Sequence, residues 1–233
     1  HQDFLAKPSS QDAIRARITD QAQQVIQDLD KRLGRKDPNS KELKEVKGRI
    51  ILVLFEVADK QTDLDKALKL ISNFEKDFSD YPQLISMALS KRLLTLASVN
   101  RLEQVVDLAR QMMQEYPDDA APVIDEILIN LEKEIDGLKT QAAKERVTNR
   151  RQELKDQAEA KAQLASRLAE LLFQWAQKQG FNEEEMLPYE LIRAKSFRLA
   201  GEIQKAIEML TPLHEKFPFD ADVVENYAEA MFS

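Results

Sequence analysis

Apolar residues return along this chain at intervals of three and four, the spacing at which side chains share one face of an α-helix. Ile14, Ile18, Ala22, Val25, Leu29 and Leu33 mark the first such face, and Gly34 closes it. Leu43, Val46, Ile50, Val53 and Val57 mark a second, which runs through the branched stretch IILVLFEV. That stretch alone also fits a buried strand, but no second strand-like run exists to pair with it, so it is read as a helix buried on several sides. Further helices are expected at about 64–79, 82–98 and 101–116. Asn39 with Glu42, Asn100 with Glu103 and Asn182 with Glu185 each repeat the spacing of a capping box, an asparagine three residues ahead of a glutamate. Short connections predict antiparallel neighbours, and the fold class expected is all-α.

Between Pro117 and Leu187 the pattern lengthens. Ile124, Leu128, Leu131, Ile135, Leu138 and Ala142 form one stripe, and Leu154, Ala158, Ala165, Leu168, Leu172 and Trp175 form another. The polar stretch KERVTNRRQELK separates them. Two heptad-like stripes around a charged centre suggest a long helical hairpin with its tip near Val147 to Arg151. One continuous helix is the alternative, since only Thr148 and Asn149 weaken helix there, and the length also suits two degenerate repeats.

A unit from about Leu187 to Pro218 carries a recognisable pattern: Ala194 and Phe197 on a first helix, Gly201 in the turn, Ala206 and Leu210 on a second, then Pro218. It resembles the tetratricopeptide repeat, whose roughly 34-residue unit packs two antiparallel helices through small residues and closes on proline. Glu190 departs from it, standing where the pattern wants tryptophan, with Tyr189 one place early, and Leu213 replaces an alanine. A unit from about Ser86 to Pro117 follows the pattern with Leu93, Leu96, Val105, Ala109 and Met112, and one from about Gly48 with Phe55, Ala58, Ala67, Ile71 and Phe74. The resemblance covers somewhat under half of the chain. It implies a right-handed superhelix of antiparallel helix pairs, interrupted by the longer central hairpin. The organisation expected is an N-terminal helix over 1–38, degenerate helix pairs over 39–118, the hairpin or divergent repeats over 119–181, and a repeat with an unpaired helix over 182–233.

Composition narrows the partners. The 233 residues carry a net charge of -7, which disfavours general affinity for nucleic acid or anionic lipid. There is no cysteine, so disulfides, thiolate-bound zinc and thiol catalysis are excluded. No apolar run approaches the roughly 20 residues of a membrane span, so no membrane insertion is expected, and nothing selects a compartment. The chain opens on His1, which reads as a processed or trimmed product. After Pro218, Val224, Tyr227, Ala228 and Met231 occupy the core positions of a further first helix with no second helix to cover them. That apolar face is expected to meet a continuation of the natural chain or another subunit.

Catalytic equipment is sparse. The two histidines are His1, at the chain end, and His214, read as a surface residue near the negative end of a helix. No phosphate-cradling glycine loop, metalloprotease spacing or nucleophile-elbow motif is present, so neither an enzyme nor a cofactor is expected. Glu183, Glu184 and Glu185 sit in a first helical turn, where capping accounts for them, and Asp118 or Asp119 is expected to cap the helix after Pro117. Arg146, Arg150 and Arg151 form a cluster that would dock an acidic partner, with a solvated face as the plain alternative, because Glu145, Glu153 and Asp156 lie nearby. Trp175 is expected in the core.

The function expected is a non-enzymatic interaction scaffold for a peptide or protein. The resemblance implies a concave wall of first helices, whose lining positions here are Leu191, Lys195 and Arg198 in one unit and Ser90, Leu94 and Ala97 in another. This mixture lacks the lysine-and-asparagine clamp that some family members use for acidic C-termini. The alternative is self-assembly into a homo-oligomer through Val224, Tyr227, Met231 and the hairpin.

Overall fold

The computed structural model describes residues 10–35, 39–58 and 64–233, and among these every regular element is a helix. In chain order they are α1 (Ser10–Leu33), α2 (Ser40–Val57), α3 (Leu64–Leu70), α4 (Phe74–Asp77), α5 (Pro82–Ser98), α6 (Leu102–Glu115), α7 (Pro117–Lys144), α8 (Thr148–Gln179), α9 (Glu183–Leu199), α10 (Ile203–Lys216) and α11 (Ala221–Met231). Two compact units divide the chain, one ending at Val99 and the other beginning at Asn100. The expected repeat from about Ser86 to Pro117 therefore contributes α5 to the first unit and α6 to the second.

In the first unit α2 packs against α1, α3 and α5. Its core contains Leu52, Phe55, Ala67, Ile71, Phe74, Phe78, Leu84 and Ala88. Phe74 and Phe78 stack with ring centres 4.4 Å apart. Gly48 lets α2 approach closely, because a Cβ there would stand 2.7 Å from Leu84 Cδ1 and 3.0 Å from the Phe78 ring. On the α1 side Lys47 donates to Asp30 at 2.5 Å.

Two expectations for this unit are corrected. The stripe through Val46 and Val53 is not the buried one: these residues are 45% and 44% exposed, and α2 turns Gly48, Leu52 and Phe55 inward. The helix has apolar residues on two faces, and only the face able to approach closely forms the core. The helix expected over 64–79 is two short helices with a break at 71–73. There the Ile71, Ser72 and Phe74 amides donate to carbonyls three residues back, tighter than α-helical bonding.

The second unit is built on α7 and α8, which pack together as separate helices joined at 145–147. At the turn the Val147 amide donates to the Glu145 carboxylate at 2.9 Å, and the Arg151 guanidinium closes on the Glu145 carbonyl at 2.9 and 2.6 Å. Ile124, Leu128, Leu131, Ile135 and Ala142 of α7 are buried, as are Leu154, Ala158, Ala165, Leu168 and Leu172 of α8. Lys161 is nearly buried within the unit, donating to Glu134 Oε2 at 2.6 Å and to Asn100 Oδ1. Helix α6 rests on α7 and α8, α9 on α8, α10 on α9, and α11 on both α9 and α10. Ala194, Phe197, Ala206, Leu210, Leu213, Val223 and Ala230 form the core of the last three helices, and each fully buried large side chain there contributes about 1.5–3 kcal/mol.

Helix starts are also corrected. Asn182 makes the full capping box, accepting from the Glu184 and Glu185 amides while the Glu185 side chain accepts from the Asn182 amide. Asn39 precedes α2 but makes no side-chain cap hydrogen bond. Asn100 does not cap α6: it has φ 60, the left-handed conformation asparagine tolerates after a helix end, and Arg101 occupies the N-cap position. Tyr116 takes the N-cap of α7, placing Asp118 and Asp119 inside the first turn.

A candidate docking groove on the second unit

Pro212 and Leu213 on α10, Phe173 on α8 and Met186 on α9 face one another across an open groove of about 410 Å³. Three short-range features place these walls. The capping box fixes where α9 starts, and the left-handed Gly180 ends α8 just before it. Between the two, Phe181 joins Trp175 and Tyr189 in a cluster with ring centres 5.8–5.9 Å apart, so the connecting segment is held by aromatic packing. Phe217 and Met209 complete the apolar wall on the α10 side. Methionines suit a surface that accepts more than one side-chain shape.

Four charged residues also line the groove, and three are committed. Lys216 pairs with Glu183. Arg193 lies over the Phe173 ring at 4.3 Å, with its Nε 2.7 Å from Glu170 Oε2, an ion pair without hydrogen-bond geometry. Glu190, half-buried, makes no hydrogen bond and no ion pair with the described residues. Burial raises its pKa above the ordinary carboxylate value; the nearby Lys216 and Arg193 charges oppose that rise without cancelling it, and Glu183 adds to it.

The residues singled out from the sequence are placed elsewhere. Lys195 and Arg198 of α9 are both engaged, Lys195 with Glu132 at 2.6 Å and Arg198 with Glu229 of α11 at 2.5 Å. Leu191 packs against the core of the last three helices. Ser90, Leu94 and Ala97 are partly buried on α5, in the other unit. At the hairpin turn Arg150 pairs with Glu153 at 2.9 Å and Arg151 caps α7, so of the three arginines only Arg146 is without a partner among the described residues. Val224 and Met231 are 40% and 52% exposed on α11, while Tyr227 stacks on His214 with ring centres 4.8 Å apart. Trp175 is partly buried, its Nε1 enclosed without a hydrogen-bond partner. His1 lies outside the described residues.

Two other concavities are less suited to a ligand. Around Phe197, Arg110, Arg167 and Lys205 gather on the second unit, but each is matched, to Asp107, Glu103 and Glu202 respectively. A groove of about 440 Å³ among α1, α2 and α3 is lined by Leu54, Val57, Ala67 and Leu70; its one cation without a partner among the described residues, Arg15, is exposed at the surface, unlike the half-buried Glu190. Among the described residues no three histidine, aspartate or glutamate side chains gather to hold a metal ion, and no helix is long and apolar enough to cross a membrane.

The chain matches no family model, and comparison with curated proteins and with solved structures finds no match either. The site therefore rests on its own geometry. Sequence reasoning did single out Glu190 and Tyr189, as departures from the repeat pattern. It missed Met186, Met209 and Phe173, whose convergence depends on how three helices pack.

Proposed function

We propose that this chain is a non-enzymatic interaction scaffold of tetratricopeptide-like helix pairs, and that the groove of α8, α9 and α10 seats a peptide or an exposed segment of a partner protein. The observation that carries the reading is an open, largely apolar groove holding one uncommitted carboxylate, the composition of a recognition pocket rather than of a polar surface. The repeat-like reading is supported by α9 and α10, where Ala194, Ala206 and Leu210 are buried between the helices and Gly201 turns the chain with φ 81. Selection from a random-peptide display library, followed by hydrogen-exchange footprinting of the enriched peptides, tests it. Protection concentrated on Met186, Glu190 and the Met209–Phe217 segment is expected. Failure to enrich any peptide, or protection confined to other surfaces, would refute it.

A second reading, self-assembly, is favoured by one specific observation. Phe219 and Phe232, flanking α11, are 98% and 92% exposed, and Val224 and Met231 are exposed between them. Solution mass that rises with concentration, and that falls back on Met231→Glu with Phe232→Ser, supports it; a constant monomeric mass excludes it.

A further inference from the structure

Resting on the scaffold reading, the geometry points to the chemistry of the partner: we infer that the groove takes a segment carrying an arginine or lysine next to a large apolar side chain. The first reason is the state of Glu190. A carboxylate partly withdrawn from water and left without an ion-pair partner is unfavourable, and a cation supplied by a partner would relieve it. Its own neighbours offset that charge only from a distance and make no ion pair with it, because Arg193 is drawn to Glu170 and Phe173 and Lys216 to Glu183. The second is shape. Phe181, Met186 and Met209 line the same groove as the carboxylate, so a ligand that fills it brings apolar surface along with its charge. Basic side chains do this with their own methylene stems, and a neighbouring aromatic or aliphatic residue fills the remaining volume.

Long-range charge favours the same partner. The second unit holds 17 Lys and Arg against 26 Asp and Glu, and residues 181–233 alone hold 5 against 11. An acidic surface steers a basic segment toward it and repels an acidic one. The first unit, with 17 basic against 15 acidic residues, shows no such bias.

The probes are synthetic peptides on a glycine–serine background that present Arg-Phe, Lys-Leu or Arg-Met pairs. Matched peptides replace the basic residue by glutamine or glutamate, or the apolar one by serine. Binding to the whole chain is read by fluorescence anisotropy. The basic-apolar peptides are expected to bind best, and Glu190→Gln to weaken them by about tenfold, the loss of a charge-assisted contact. Met209→Ala should weaken binding while leaving the preference for a basic residue intact. If glutamine peptides bind as well as basic ones, or Glu190→Gln changes nothing, the inference about charge is overturned while the groove survives as a peptide site. If no peptide binds at any composition and library selection also fails, both the inference and the scaffold reading fall. Glu190→Gln removes an unpaired half-buried charge, so a circular-dichroism melt no lower than that of wild type separates lost binding from lost folding.

Discussion

Gly48 sits where α2 comes closest to its neighbours, and Gly48→Ala sets two opposed effects against each other. Alanine in a helix interior is favoured over glycine by about 1 kcal/mol, so on helix propensity alone the substitution stabilises. The added methyl, however, would meet Leu84 Cδ1 at 2.7 Å and Phe78 Cε1 at 3.0 Å. Leu84 and Phe78 are 2% and 3% exposed, so neither can swing into solvent to make room. Overpacking of this kind costs about 1–3 kcal/mol, which leaves a net destabilisation of about 1 kcal/mol for the first unit.

The assay must read the first unit by itself. The single tryptophan, Trp175, lies in the second, so its fluorescence is blind to this change and serves as an internal control. Hydrogen exchange of the α2 and α5 amides under mild urea supplies the local reading. Faster exchange in both helices is expected, with an unaltered Trp175 transition. The steric cause is isolated by Leu84→Val, which removes reach at the contact: the Gly48→Ala and Leu84→Val pair should be more stable than the sum of the single changes by at least about 0.5 kcal/mol. Slower exchange in Gly48→Ala, or strict additivity in the pair, would show that α2 does not depend on this close approach.

Other outcomes follow from the same geometry. Lys161→Met should be close to neutral, within about 1 kcal/mol by urea titration, because the partners it leaves, Glu134 and Asn100, reach water; Lys161→Glu should unfold the second unit more readily by setting two carboxylates together. Asn182→Ala should cost about 1 kcal/mol and raise exchange in the first turn of α9, since two amides lose their acceptor. For Glu190 the folded pKa lies above the unfolded one, so its charged form opposes folding at neutral pH and that opposition fades as pH falls through the raised value. Glu190→Gln should therefore melt higher than wild type at neutral pH, with the difference closing once pH drops below the ordinary value of 4.5.

Helices were legible in this chain because burial repeats with the helical period, yet the same signal concealed where helices break and which way they face. Ala67, Ile71, Phe74 and Phe78 keep the spacing of one continuous helix and are all buried, although hydrogen bonding changes at 71–73. The spacing records the buried face, and a tightened turn leaves that face nearly in place. In α2 both Leu43–Val46–Ile50–Val53–Val57 and Gly48–Leu52–Phe55 are helical stripes. What separates them is that glycine permits an approach that valine forbids, a consideration of volume rather than of period. Asn100 illustrates a different ambiguity. Asparagine is favoured both ahead of a helix and, left-handed, just after one, and here it takes the left-handed conformation and accepts from Lys161, sixty-one residues away.

The groove shows how far a local reading reaches. Glu190 stood out because a repeat-like helix that buries Ala194 and Phe197 has an acidic residue where its pattern asks for a large aromatic. An aromatic there would give the groove another apolar wall; a carboxylate lines it with charge. That much follows from the substitution of one residue type for another. What the sequence cannot display is that both nearby cations are already spoken for, since Arg193 finds Glu170 on α8 and Lys216 finds Glu183 at the far end of α9. Had either turned instead to Glu190, the same residues would form a self-neutralised surface with nothing left to recognise. The recognition chemistry inferred for this groove therefore depends on two ion pairs formed beside it as much as on Glu190 itself. Removing the Glu183 carboxylate would free Lys216 to neutralise the site and weaken a basic peptide without touching the carboxylate that binds it.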